Sequence, residues 1–83
     1  MVKEKRIAIA RKEVLPRVEA YWQTCKEGNP GCREKLSKAV RAFEETKKTF
    51  AGMGIKMPSA NQIGYGEIRD TLNDHARHYG LMN

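Results

Sequence analysis

The chain has 83 residues, a formal net charge of +6 and 40% hydrophobic residues. This length fits one domain and excludes a second, and the apolar fraction supports a core and excludes an ordinary disordered tail. The longest aliphatic run near the start, residues 7–10, is too short for a signal-peptide core or a membrane-spanning helix. We therefore expect one cytoplasmic domain over residues 1–83, with no membrane contact.

The first predicted element is a helix over about residues 3–27, where apolar residues recur every three or four positions. Pro16 interrupts this pattern on the side opposite the apolar stripe, so a kinked continuous helix and two shorter helices both remain open. Arg11 falls on the apolar side, where it must reach solvent, pair with a carboxylate or contact a partner. The stripe consists of Ile7, Ala10, Val14, Val18, Tyr21 and Cys25.

A turn signal, Asn29-Pro30-Gly31, precedes a second predicted helix over about residues 31–52. So short a connection predicts an antiparallel helical hairpin. Cys25 and Cys32 flank the turn, so their geometry allows a disulfide, although cytosolic thiols stay reduced and the closed loop would be short. The sequence therefore does not decide whether the two cysteines are free thiols or form a disulfide.

The third predicted helix covers about residues 60–79. Ser59, followed three residues later by Gln62, predicts a capping box at its start, and Gly80 is expected to end it. The segment also resembles the first half of a helix-turn-helix, but Asp70 and Asn73 occupy positions that a recognition helix keeps apolar. The three helices together predict an all-α fold, a small bundle of a hairpin and a third packed helix.

Patterns for catalysis, cofactors and metals are weak throughout the chain. Cys25, Cys32, His75 and His78 could supply a two-cysteine, two-histidine zinc site. However, six residues separate the cysteines, where structural zinc sites use about two to four. We therefore expect no enzyme activity, no cofactor and no metal site.

The positive charge is concentrated in the first two helices. Residues 1–27 carry seven Lys or Arg against four Glu, and residues 28–53 carry six against three. Such a surface can simply keep a small domain soluble, but phosphate-backbone contact also needs only several cations within reach. We therefore predict a small DNA- or RNA-binding or accessory protein. The expected phosphate contacts are Lys3, Lys5, Arg6, Arg11, Lys12, Lys38, Arg41 and Lys48.

The alternative is a protein-binding adaptor or inhibitor, of the compact kind that mobile elements encode, which docks on an acidic surface of its partner. It is favoured by the lack of catalytic chemistry and by the small core, which a partner would extend. The expected contacts lie in and after a methionine-rich connector: Met53, Ile55, Met57 and Tyr65. A homodimer is a further arrangement that this composition permits.

Overall fold

The computed structural model describes residues 2–28 and 30–82, and this part of the chain is all-α. In chain order the elements are α1 (Lys3–Lys26), α2 (Cys32–Gly52), α3 (Ala60–Ile63), a 3-10 turn (Gly66–Ile68) and α4 (Arg69–His78). The all-α prediction is confirmed. Within the described residues, no helix combines the length and the apolar character needed to cross a membrane.

α1 is one helix, with Pro16 inside it. Pro16 has no N–H to donate to the carbonyl of Lys12, so α1 lacks one of its backbone hydrogen bonds. The proline is exposed, so its ring does not disturb the packed side. The buried residues of α1 are Ala10, Val14, Val18 and Tyr21, all members of the predicted stripe.

α1 and α2 pack against each other as an antiparallel hairpin. At the turn, Cys25 and Cys32 form a disulfide whose Cα atoms are 5.0 Å apart, within the range that this bond requires. At the other end, the first turn of α1 lies beside the last turns of α2. The cysteines, left open by the sequence, are therefore joined in this structure.

The predicted third helix is divided into three short pieces. Its predicted capping box is confirmed: the Ser59 hydroxyl accepts from the Gln62 backbone N–H at 3.3 Å, and the Gln62 side chain accepts from the Ser59 N–H at 2.9 Å. The helix nevertheless ends after one turn, because Gly64 adopts a φ of 118°. Gly66 then lies so close to Asn61 that a Cβ there would overlap the Asn61 side chain.

The short pieces after the connector complete the core of the hairpin. α3 packs on α1 and α4 packs on α2. The largest fully buried side chains are Tyr21, Phe50, Leu36, Ile63, Val14 and Val18. Because Ile63 belongs to α3, the one-turn helix contributes one of the largest fully buried side chains of the core.

Gly64→Ala should lower the free energy of unfolding by about 1–2 kcal/mol, because a Cβ is unfavourable in left-handed backbone. A Cβ there would meet no hard clash, since its nearest neighbour would be Leu15 Cδ2 at 3.6 Å. Gly52→Ala is the matched control, because Gly52 is helical and has open space around its Cβ position. Urea unfolding followed by Trp22 fluorescence measures both variants; equal stabilities would contradict this account.

Candidate functional site

A groove of about 590 Å³ opens where the start of α1 meets the end of α2 and the connector that follows. Four cationic side chains line it, and no carboxylate does among the residues that the structure describes. We call this site the basic groove, with the cations Lys3, Arg6, Lys47 and Lys56. Like charges gathered in a concave site produce a positive potential that attracts anionic groups.

Arg6 forms no ion pair within residues 2–28 and 30–82. Its side chain is half-buried, and its Nε is buried without a hydrogen-bond partner in the described part of the chain. A buried N–H without a partner costs about 1–3 kcal/mol. An anionic group bound beside this guanidinium would therefore gain an interaction with a cation that has no carboxylate partner among the described residues.

The floor of the basic groove is apolar. The connector folds back onto the end of α2, where the Ile55 N–H donates to the Phe50 carbonyl at 2.9 Å. This turn places the connector beside the hairpin. The apolar lining consists of Ile7, Phe43, Ala51, Ile55, Met57 and Pro58. The basic groove can therefore receive a ligand that has both anionic and apolar groups.

The residues predicted for protein binding lie in three different places. Ile55 and Met57 line the basic groove, whereas Met53 is 49% exposed and lies outside it. Tyr65 is buried in the core, and burial raises the pKa of its hydroxyl to about 12, with the nearby Arg69 charge acting in the opposite direction. Tyr65 is therefore a packing residue in this structure.

The residues predicted to contact phosphates do not form one surface. Lys3 and Arg6 line the basic groove. Lys38 pairs with Glu34 at 3.3 Å, and it lies with Arg41 in a separate hollow that also contains carboxylates. The remaining predicted cations, which are exposed and do not line the basic groove, are Lys5, Arg11, Lys12 and Lys48.

Sequence reasoning did not select two of the four groove cations, Lys47 and Lys56. A signal for Lys47 exists, because it follows Phe43 by four residues and therefore lies on the same side of α2. The position of Lys56 depends on the path of the connector, which helical periodicity does not address.

A second cluster lies at the turn of the hairpin. Cys25, Cys32 and His75 each offer a ligand atom, and these three atoms all lie within 4.8 Å of one another. The Tyr21 hydroxyl lies 2.8 Å from Nδ1 of His75. Burial, followed by the influence of Tyr79, raises the pKa of the Tyr21 hydroxyl above its ordinary value of 10.0. We call Cys25, Cys32 and His75 the turn cluster.

The turn cluster differs from the four-residue set that the sequence suggested. His78 is exposed and is not part of it. Cys25 and Cys32, seven positions apart, meet through the hairpin that the sequence predicts. The position of His75 beside them depends on how α4 packs on the hairpin, which spacing along the chain does not predict.

Comparisons with protein-family models, with curated proteins and with solved structures found no match. The chemistry of the chain's own residues therefore has to supply the evidence for its function.

The burial of Tyr65 predicts a loss of stability at high pH. In the unfolded chain the hydroxyl ionises near its ordinary pKa of 10.0, and in the folded protein at about 12. The contribution of Tyr65 to stability is therefore fully present below pH 10.0 and is lost as the pH rises towards about 12. Tyr65→Phe should remove this pH dependence.

Absorbance of tyrosinate during alkaline titration gives an independent readout of the same group. Because burial also raises the Tyr21 pKa, two hydroxyls should ionise late. Tyr65→Phe should remove one of these two late steps, whereas the control Tyr79→Phe should retain both. If Tyr65→Phe keeps both late steps, Tyr65 is not one of the two buried hydroxyls.

Proposed function

We propose that the protein is a non-enzymatic adaptor or inhibitor whose basic groove binds an acidic, amphipathic segment of a partner protein. The observation that carries this proposal is the combination of four cations, an absence of carboxylates among the described lining residues and an apolar floor. Acidic side chains of the segment would meet the cations. Its apolar side chains would pack against residues such as Phe43 and Met57.

The distribution of charge outside the basic groove supports a protein partner over a polynucleotide. A nucleic-acid backbone is a long polyanion, and extended contact needs a continuous track of cations. Here the face that carries Lys38 and Arg41 also carries Glu13 and Glu45. On α4, the two arginines pair with aspartates of the same helix, at 3.3 Å for Arg69 and 3.2 Å for Arg77.

A second candidate function is nucleic-acid binding through phosphate contacts in the same groove. It is favoured by the net charge of +6 and by the Arg6 Nε, which has no hydrogen-bond partner in the described part of the chain. Four phosphate contacts to duplex DNA would give a salt slope, log K against log salt, of about −3 to −4. A nucleic-acid backbone would make little use of the apolar floor, and this difference separates the two candidates.

The arrangement of the helices is compatible with both candidate functions, the adaptor and the nucleic-acid-binding protein. We propose that the protein is a three-helix bundle in which α3, the 3-10 turn and α4 together replace a single third helix. Together, these three elements would hold the start of α1 and the end of α2, which form the walls of the basic groove, at a fixed separation. The cytoplasmic location and the homodimer stay predictions from the sequence.

Removal of two groove cations should weaken binding of an acidic amphipathic peptide. The probe is a fluorescein-labelled helical peptide with glutamates on one face and leucines on the other. Arg6→Gln combined with Lys47→Gln should reduce its affinity about tenfold, since two charge pairs of up to about 1 kcal/mol each are lost. Fluorescence anisotropy at low and near-physiological salt measures the change.

The matched control combines Lys38→Gln with Arg41→Gln, which removes the same two residue types from a different face. This control should bind the peptide nearly as well as the unmodified protein. Equal losses in the two double variants would contradict a specific groove and indicate diffuse charge attraction.

Met57→Ala separates the two candidate functions. It should weaken binding of the peptide, because the leucine face loses a packing partner, and should leave binding of duplex DNA unchanged. If DNA binds more tightly than the peptide and Met57→Ala changes neither affinity, the nucleic-acid function replaces the adaptor.

A further inference from the structure

We propose that the reduced form of the protein binds Zn²⁺ through the turn cluster, with Cys25, Cys32 and His75 as ligands. The site lies at the turn of the hairpin, whereas the basic groove lies at the other end of the same two helices. The zinc site is therefore independent of the proposed groove function.

The positions of the three ligands suit one small cation. Cys25 lies in the last turn of α1, Cys32 is the first residue of α2, and His75 belongs to α4. Their ligand atoms lie within 4.8 Å of one another. Around a tetrahedral zinc, bond lengths of about 2.0–2.3 Å place neighbouring ligand atoms about 3.5–3.8 Å apart. Once they are no longer bonded, the two sulfurs would have to separate to this distance.

The start of α2 favours the thiolate form that zinc requires. Cys32 begins a helix of 21 residues, and the positive end of the helix dipole stabilises a negative charge there. Two thiolates and a neutral imidazole are soft and borderline donors. Such donors bind zinc in preference to magnesium or calcium.

Tyr21 provides the second observation that points to a ligand. Metal-binding histidines almost always use their other ring nitrogen in a hydrogen bond that fixes the orientation of the ring. Here Nδ1 of His75 lies 2.8 Å from the Tyr21 hydroxyl oxygen. In the tautomer in which Nδ1–H donates to that oxygen, Nε2 carries no proton and is the nitrogen that can bind a metal.

Conversion of the disulfide to the zinc site requires a two-electron reductant. A dithiol reductant transfers two electrons and two protons to the Cys25–Cys32 bond and becomes a disulfide itself. The S–S bond breaks and leaves two thiols. Zn²⁺ then binds both sulfurs and the imidazole while the two thiols release their protons. The disulfide form binds no zinc at this site, because its sulfurs are not thiolates.

Cobalt is a suitable probe, because tetrahedral Co²⁺ with thiolate ligands absorbs visible light and Zn²⁺ displaces it without colour. The protein is reduced with a phosphine under anaerobic conditions, freed of reductant and titrated with Co²⁺. The reduced protein should develop tetrahedral cobalt bands that Zn²⁺ bleaches, and zinc should raise its stability in urea. The oxidised protein should show neither effect.

Substitutions at His75, Tyr21 and His78 test which residues the metal site requires. His75→Gln should weaken Co²⁺ binding more than tenfold, and Tyr21→Phe, which removes only the hydroxyl, should weaken it about tenfold. His78→Gln is the matched control on the same helix and should bind Co²⁺ as the unmodified protein does. Circular dichroism checks that each variant is folded.

Two results would overturn the proposal. One is a reduced, folded protein that gives no tetrahedral cobalt bands. The other is equal Co²⁺ affinity in the His75→Gln and His78→Gln variants. Should His75→Gln not fold, Tyr21→Phe serves in its place, and an affinity equal to that of the unmodified protein would likewise overturn the site.

Discussion

The antiparallel packing of α1 on α2 is the constraint on which the rest of the structure depends. Because the turn between them is short, the end of α1 must meet the start of α2, which brings Cys25 to Cys32 with Cα atoms 5.0 Å apart. The same pairing sets the start of α1 beside the end of α2, and the connector closes that end into the basic groove. α3 and α4 then cover the apolar face that two helices alone would leave exposed.

The hairpin therefore carries different chemistry at its two ends. Four cations around an apolar floor form a binding surface at one end, and soft sulfur and nitrogen donors form the turn cluster at the other. The turn cluster and the basic groove share no residue, so variants at one end should spare the chemistry at the other.

Local patterns were sufficient to predict α1, α2 and the Ser59 capping box, because helical periodicity and caps depend on neighbours in the chain. They did not predict the break at Gly64, since a glycine lowers helix propensity by only about 1 kcal/mol and tertiary packing decides the outcome. Both sites depend on contacts between elements. Lys56 lines the same groove as Arg6, and His75 lies close to Cys25, because of the tertiary path of the chain, which spacing along the sequence does not reveal.

The most direct measurement is a map of amide chemical shifts in the ¹⁵N-labelled, oxidised protein during titration with the acidic amphipathic peptide. If the basic groove is the binding surface, the largest changes will fall on residues 3–7, on the last turns of α2 and on residues 55–62, with little change around Cys25, Cys32 and His75. Changes centred instead on the face that carries Lys38 and Arg41, or spread evenly over all exposed cations, would contradict the account.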